Sequence, residues 1–459
     1  MMAETALTQS HQPAPKASAA ILAGPIVPVM LRLALPTVAV LVIQTLVGVI
    51  ETYFVSSLGA NVLAGVSVVF PVLMLMQMMA NGGIGSGLAA AIAQAYGAGR
   101  WQDMQALVWH GVVIAVVAGL ACAIAIIIGG YTLYQMMGIS GPALSAALAY
   151  SHIVFASSPL IWLVAMLSAA LRGAGDTRTP AQITLVGAVI LLPLSPVLIF
   201  GWGPIPSFGV AGAGMAIVVY YLVAALFLVI HMRSVKSVIK LSITPLCARS
   251  FRDILGVGLL ASIGTVQLNL TVVIVTAAIG CFGADAVAGY GIASRLEYIQ
   301  IPLLFGLGTA IMTMVGVNVG AGQMQRAQRI TWFGAAIAFA VTTLIGFIVA
   351  AFPHIWLNIF SEEQQIVKIG TNYLQHIAPF YGFIAAGMAL YFAAIGMKRV
   401  FWPVLAGTVR MIVAAFIGWI AVTYFTVSIE MLFNILVAGI LIYCAITIAA
   451  TFVIGRKSS

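Results

Sequence analysis

Twelve long apolar runs set the terms for this chain. They fall near 33–55, 62–94, 107–129, 147–171, 183–202, 210–231, 254–280, 286–316, 330–352, 366–394, 404–427 and 431–454. A helix that crosses the hydrocarbon core of a bilayer needs ~20 apolar residues, and each run reaches that length. A lipid-facing β-barrel would instead alternate apolar and polar positions. Charge is correspondingly scarce: 19 Lys+Arg and 10 Asp+Glu, or 6% of 459 residues, against about 25% in a soluble domain. So little charge cannot clothe a soluble surface. Hydrophobic residues make up 63%, too many to leave solvated in a disordered chain. The expected fold is an all-α polytopic membrane protein with 12 transmembrane helices, and the lipid bilayer is its first partner.

The net charge of +9 is sorted by side rather than gathered into a patch. Counting connections alternately from the N-terminal tail, sixteen of the 19 basic residues share one side, from Lys16, Arg32 and Arg100 to Arg456 and Lys457. Lys368 alone falls on the other side, and Arg295 and Arg410 lie inside spans. By the positive-inside rule both termini belong in the cytoplasm, in a multi-pass protein of the cytoplasmic (inner) membrane. The charge is topological, so no nucleic acid is expected as a partner. Within the segment 1–31, residues 1–20 are polar and read as a disordered cytoplasmic tail; Ile21 to Met30, with Pro25 and Pro28, is expected to lie along the membrane surface. No basic segment followed by a cleavable apolar stretch opens the sequence, so no signal peptide is expected. Cys122, Cys247, Cys281 and Cys444 are scattered and suggest neither a disulfide framework nor a zinc site.

The chain repeats itself. Gly59-Ala60 with Ala64-Gly65 returns as Gly283-Ala284 with Ala288-Gly289. Gly97-Ala98-Gly99 returns as Gly320-Ala321-Gly322, and Gly173 with Pro180 returns as Gly396 with Pro403, both 223 positions on. Six spans separate equivalent points, so the halves run in the same direction, related by an axis along the membrane normal. That predicts two pseudo-symmetric six-helix lobes, 32–231 and 254–454, around a central cavity, joined by a basic cytoplasmic linker at 232–253 and followed by a tail at 455–459. Two such lobes are the layout of a transporter. No phosphate-binding loop of the G-x-x-x-x-G-K-[ST] type is present, and Gly173-Ala174-Gly175-Asp176 lies between spans with no strand before it. Nor is there an H-E-x-x-H, G-x-S-x-G or paired-carboxylate pattern, so no catalytic, cofactor-binding or metal-binding residue is expected and any transport must run on an ion gradient.

Several of these segments together resemble a known family. Leu35-Pro36-Thr37 through Glu51-Thr52, then Leu58-Gly59-Ala60, Ala64-Gly65 and Gln94-Ala95-Tyr96-Gly97-Ala98-Gly99-Arg100 look like the first spans of the multidrug and toxic compound extrusion (MATE) family, bacterial type. Leu171-Arg172-Gly173-Ala174-Gly175-Asp176-Thr177-Arg178-Thr179-Pro180 and Val317-Asn318-Val319-Gly320-Ala321-Gly322 extend the likeness over roughly Leu33 to Thr451. The resemblance implies a twelve-helix antiporter, not an enzyme. Such a protein expels drugs or other organic, cationic and amphiphilic compounds in exchange for protons or sodium.

Ionisable residues inside spans are costly and tend to be functional. Thr37, Gln44 and Glu51 are spaced by seven and share one face of the first span. From the residues alone Glu51 is either a coupling carboxylate or an interfacial charge. The family resemblance implies that an acid here binds the coupling ion, with Glu standing where Asp is usual. Glu297 in span eight is a second ion-coupling candidate or a structural charge, and Arg295, two residues earlier, points to another face. His376 in span ten could titrate, although a hydrogen-bonded structural histidine is the plainer reading. Gln77 and Asn81 in span two, Thr265 and Asn269 in span seven and Tyr298 in span eight are substrate-cavity candidates; polar packing between helices explains the span-seven set equally well. Tyr150, Trp162, Tyr290 and Tyr381 could also stack on cationic compounds.

Where many members carry Asn and Asp in span five, this chain has Leu191 and Ser195, and spans seven and ten hold no acid. A lone carboxylate with hydroxyl neighbours takes up a proton more readily than it desolvates sodium, so proton coupling is favoured over sodium coupling. A flippase of lipid-linked saccharides is the alternative of related design; it would need several basic residues in the cavity, and only Arg295 and Arg410 are within spans. A membrane-embedded enzyme ranks last because the acids are scattered. No resident cofactor is expected, and the chain is read as a monomer.

Overall fold

Apolar side chains every few residues, with prolines near the helix starts, build long helices throughout. A computed structural model describes residues 16–235 and 237–456. After a short helix α1 (Lys16–Ala23), α2 runs Ile26–Ser56. α3 (Ala60–Met78) continues through a π-helical stretch, Met79–Ile84, into α4 (Gly85–Gly97). α5 (Trp101–Met136) follows, then α6 (Gly141–Ala156) and α7 (Ser158–Gly173), which form one span bent by 48°. α8 (Arg178–Phe200) and α9 (Val210–Arg233) complete the first lobe. The second lobe comprises α10 (Ala248–Gly280), α11 (Ala284–Gly320), α12 (Met324–Ala351), α13 (Pro353–Leu357), α14 (Gln364–Ile377), α15 (Tyr381–Gly396), α16 (Phe401–Met411), α17 (Gly418–Phe425) and α18 (Ile429–Arg456). A second π-helical stretch, Ile412–Ile417, joins α16 to α17. Eleven helices are long and apolar enough to cross a membrane, and the bent α6–α7 pair makes twelve.

The glycine motifs of the repeat have a geometric purpose. Gly99 and Gly322, with φ of 67° and 76°, end α4 and α11 in the left-handed region open to glycine. Gly97 and Gly320 stand where those two helix ends cross. A Cβ on Gly97 would lie 1.9 Å from the Val317 carbonyl oxygen, and one on Gly320 would lie 2.0 Å from that of Gln94. The third motif repeats the device: a Cβ on Gly173 would stand 2.5 Å from the Ala89 carbonyl oxygen, and one on Gly396 2.5 Å from that of Met312. Gly97 and Gly320 are 223 positions apart, and there the lobes meet backbone to backbone across their symmetry axis; Gly173 and Gly396, also 223 apart, make matching close contacts inside each lobe. Gln94 Nε2 donates to the Gly396 carbonyl at 2.8 Å and Thr313 Oγ1 to that of Arg172 at 3.0 Å. Both bonds join the lobes at the end that carries the basic loops.

From that end the lobes stay in contact through Gly87 against Ile254 and Gly306 against Val38. Among the described residues, the hydrogen bond between the lobes lying farthest from it is Asn269 Nδ2 to Met78 Sδ, at 3.6 Å. The two halves therefore form a V closed at the basic end.

The N-terminal segment departs from the expected tail. Residues 1–15 lie outside the described residues, but 16–23 are helical rather than disordered, and Ile21 is buried rather than laid on the membrane surface. Its side chain packs beside Gly175 of the first lobe. Asn318 and Arg326 of the second lobe donate to its carbonyl oxygen, and Arg326 also donates to that of Gly24. Unpaired carbonyls at the end of a short helix take donors where they find them, and here the donors tie the segment across the closed end of the V. Residues 457–459 of the expected C-terminal tail lie outside the described residues.

Candidate functional site

The polar residues of the first lobe converge on α2. Glu51 is half-buried, and its Oε2 accepts from Ser195 Oγ of α8 at 2.8 Å. Its other oxygen, Oε1, is buried without a hydrogen-bond partner. Tyr150 of α6, itself buried, is close enough to feel the carboxylate's charge. One turn-pair below, Gln44 hydrogen-bonds the Tyr220 hydroxyl of α9, which Thr184 of α8 also reaches. Tyr220 packs edge-on to Tyr221, with ring centroids 4.8 Å apart, and the Tyr221 hydroxyl accepts from Gln77 Nε2 at 3.2 Å. α2, α3, α6, α8 and α9 thus enclose one polar core, and no basic side chain enters it among the described residues. Thr37 is buried further down α2 and takes no part in this network.

The second lobe holds a different cluster. Glu297 Oε1 of α11 accepts from the Tyr373 hydroxyl of α14 at 2.5 Å. Tyr290 packs edge-on to Tyr373 at 5.1 Å, and Tyr373 to Phe433 of α18 at 5.2 Å. Arg410 of α16 lies over the Tyr443 ring of α18, 5.8 Å from its centroid, and its charge is felt at Glu297. Arg295 points elsewhere, over Phe360 at 5.6 Å, as its two-residue offset from Glu297 predicts.

Other candidates are spent locally. His376 Nδ1 is 2.8 Å from the Asn372 carbonyl oxygen, with its ring against Phe433, the geometry of a structural histidine. Asn81 donates back to the Gln77 carbonyl and Thr265 to that of Ala261, while Asn269 also donates to that of Thr265. Such back-bonds satisfy hydroxyls and amides without a partner helix. Tyr298 is 51% exposed beside Glu297. Trp162 is buried in the first lobe's core.

Sequence reasoning passed over Tyr220, Tyr373, Tyr443 and the placement of Arg410. The repeat held the signal: Tyr150 and Tyr373, and Tyr220 and Tyr443, are each 223 positions apart. Among the described residues no group of three His, Cys, Asp or Glu could hold a metal ion.

Comparison with known proteins agrees with this architecture. The chain is 27% identical over 402 residues to the probable multidrug resistance protein NorM of Thermotoga maritima, covering 86% of each chain. It is 26% identical over 357 residues to the probable multidrug resistance protein YoeA of Bacillus subtilis, covering 75% of this chain and 76% of the relative. It is 27% identical over 381 residues to an FAD transporter of Shewanella oneidensis, covering 81% and 82%. A MOP superfamily transporter from Pyrococcus furiosus has the same fold, with a TM-score of 0.87 over 97% of this chain and 99% of that one, at 22% identity. A MATE protein in the bent conformation reaches 0.89 over 97% and 98%, also at 22% identity. The MatE family model matches residues 36–197 and again 261–420, the two halves that the glycine motifs had paired. Its members are transporters rather than enzymes, and this chain, a multi-pass membrane protein of twelve helices in two lobes, belongs to the MatE family.

Proposed function

We propose that the protein exports amphiphilic organic compounds in exchange for protons, with Glu51 as the proton-carrying group. The observation that carries this reading is the setting of that carboxylate: one hydroxyl donor, one buried oxygen without a partner, and no cation in the surrounding core among the described residues. A carboxylate so placed is most cheaply neutralised by a proton. A sodium ion would ask for several more oxygen ligands than one serine offers. The names of the NorM and YoeA relatives support drug efflux, and the absence of cations around Glu51 speaks against polyanionic saccharide lipids. Reconstituted protein should therefore drive efflux of fluorescent organic cations from vesicles under an imposed pH gradient. Efflux driven by sodium alone, with no pH gradient, would overturn the proton assignment.

The basic asymmetry supports cytoplasmic termini in the cytoplasmic membrane, which makes the V an outward-open form, closed on the inside by the glycine crossings. A topology experiment checks this. With the exposed Cys247 and Cys281 replaced by serine, single cysteines at residues 140 and 361 should label from outside. One at residue 240 should label only after permeabilisation, and external labelling there would reverse the orientation.

A further inference from the structure

The two lobes share their tyrosines but not their charges. Tyr150 and Tyr220 of the first lobe recur as Tyr373 and Tyr443 of the second, yet the repeat partner of Glu297, at the 224-residue offset of the neighbouring Gly65 and Gly289, is Leu73 and that of Arg410 is Gly187. Gly187 is filled by the Tyr220 ring, 2.5 Å from where its Cβ would stand. The carboxylate and the guanidinium are therefore additions to the second lobe and not part of the repeated scaffold.

Their arrangement is unusual for opposite charges inside a membrane protein. In a medium of low dielectric an acid and a base within reach of each other gain most by direct contact. Here they stay apart. The ion pairs among the described residues are Arg100–Asp103, His231–Asp176 and Lys398–Asp253, none of them in this cluster. Glu297 is held by the Tyr373 hydroxyl through Oε1, while Oε2 takes no hydrogen bond among the described residues. Arg410 rests on the Tyr443 ring, with no hydrogen bond or ion pair from its guanidinium among the described residues. Tyr381, 3% exposed and close enough to feel Glu297, has a buried hydroxyl without a partner. A carboxyl group, a guanidinium and an unspent hydroxyl are thus presented together, each with bonding capacity left over.

We infer that the second lobe holds a receptor for a dipolar ion, taking the ammonium of a zwitterionic amphiphile at Glu297 and its carboxylate at Arg410. The charges balance without any proton: one positive and one negative group on the protein meet one negative and one positive group on the ligand. Arg410 suits this role because a guanidinium offers a planar fork that matches a carboxylate, and the unpaired Tyr381 hydroxyl oxygen, beside Glu297, can accept from the ammonium. The inference rests on the transport reading above but not on its ion. A proton taken up at Glu51 in the first lobe and a zwitterion held in the second can compete through the closure of the V rather than at one atom.

The test is equilibrium binding to the purified full-length protein, with no gradient present. Three probes are compared: a fluorescent amino acid bearing a long alkyl chain, its methyl ester (cation only) and its N-acetyl derivative (anion only). The free amino acid should bind at least about tenfold more tightly than either relative, a margin worth ~1.4 kcal/mol. Arg410→Gln should lower the amino acid to the affinity of the ester and leave the ester unchanged. Arg410→Lys should recover part of the margin, and Glu297→Gln should lower the amino acid to the N-acetyl level. Equal binding of amino acid and ester to the wild type overturns the inference, and that ranking decides the matter even where a variant does not fold. A preference that survives Arg410→Gln overturns it as well. Glu51→Gln should leave the ranking intact, so a failure of proton coupling and a failure of this site are read separately.

Discussion

Vesicles containing Glu51→Gln should bind cationic amphiphiles and yet fail to move them against a concentration gradient when a pH gradient is imposed. The variant removes the one group in the first lobe's core that can be charged in one state and neutral in another. It leaves the local packing almost untouched. Gln is nearly isosteric, and its amide oxygen can still accept from Ser195, the bond seen at 2.8 Å in the wild type. A neutral amide also costs less within the membrane than a carboxylate, so stability should change by less than about 1 kcal/mol, the usual worth of a single hydrogen bond. Loss of drive is therefore separable from loss of fold. Alternation requires that proton and substrate oppose each other, and by linkage each lowers the other's affinity to the same degree. Without a titrating group that opposition vanishes, and exchange becomes downhill only. Glu51→Asp should keep part of the activity, since it restores the charge on a shorter arm. Wild-type accumulation by Glu51→Gln would reduce Glu51 to an interfacial charge and move attention to Glu297.

Much of this architecture is written in one dimension, because a bilayer allows few alternatives. Apolar length alone yields the spans, and the sorting of basic residues yields a consistent direction for each. The fourth span, read as one run over 147–171, is two helices bent by 48° at Ser157; Pro159, the second residue of the second piece, is the local cause. The polar stripe on α2 was legible as a face, but its partners were not. Seven-residue spacing says that Gln44 and Glu51 look the same way, not that they look at Ser195 and Tyr220. Ser195 lies 144 positions from Glu51, and only packing brings such residues together. Thr37 shows the limit of the same rule: on the same face, it sits lower on the helix, where α2 meets α11 rather than the polar core. The N-terminal segment was misread because polar composition describes a chain's solubility and not its docking. Ile21 is a buried anchor at the end of the short helix, and its carbonyl is held by side chains some three hundred positions away.

Gly97→Leu, and separately Gly320→Leu, should lock the transporter out of the V form and abolish efflux. The backbone oxygens facing these glycines are 1.9 Å and 2.0 Å from the positions a Cβ would take, where ordinary contact begins near 3.4 Å. Neither neighbour can yield, because each is a helix carbonyl and not the end of a flexible side chain. The strain is relieved only if the ends of α4 and α11 separate, which is the motion that opens the basic end of the V. Overpacking of a tight core costs about 1–3 kcal/mol. In a two-state protein, a penalty of ~3 kcal/mol confined to one state shifts the equilibrium by roughly 150-fold toward the other. Ala93 is wholly buried in the closed end, and a Cβ on Gly316 would lie 2.8 Å from its methyl group. A cysteine at residue 93 therefore serves as the reporter. It should resist a cytoplasmic thiol reagent in the wild-type background and react readily alongside Gly97→Leu. Combining the two leucines should add little to either alone, since both are relieved by the same separation and their effects are not independent. Gly129→Ala is the control: its Cβ would meet nothing within 4 Å, so efflux and cysteine protection should both survive. If Gly97→Leu transports at the wild-type rate with residue 93 still protected, the glycine crossing is not the gate, and the lobes must close through other contacts.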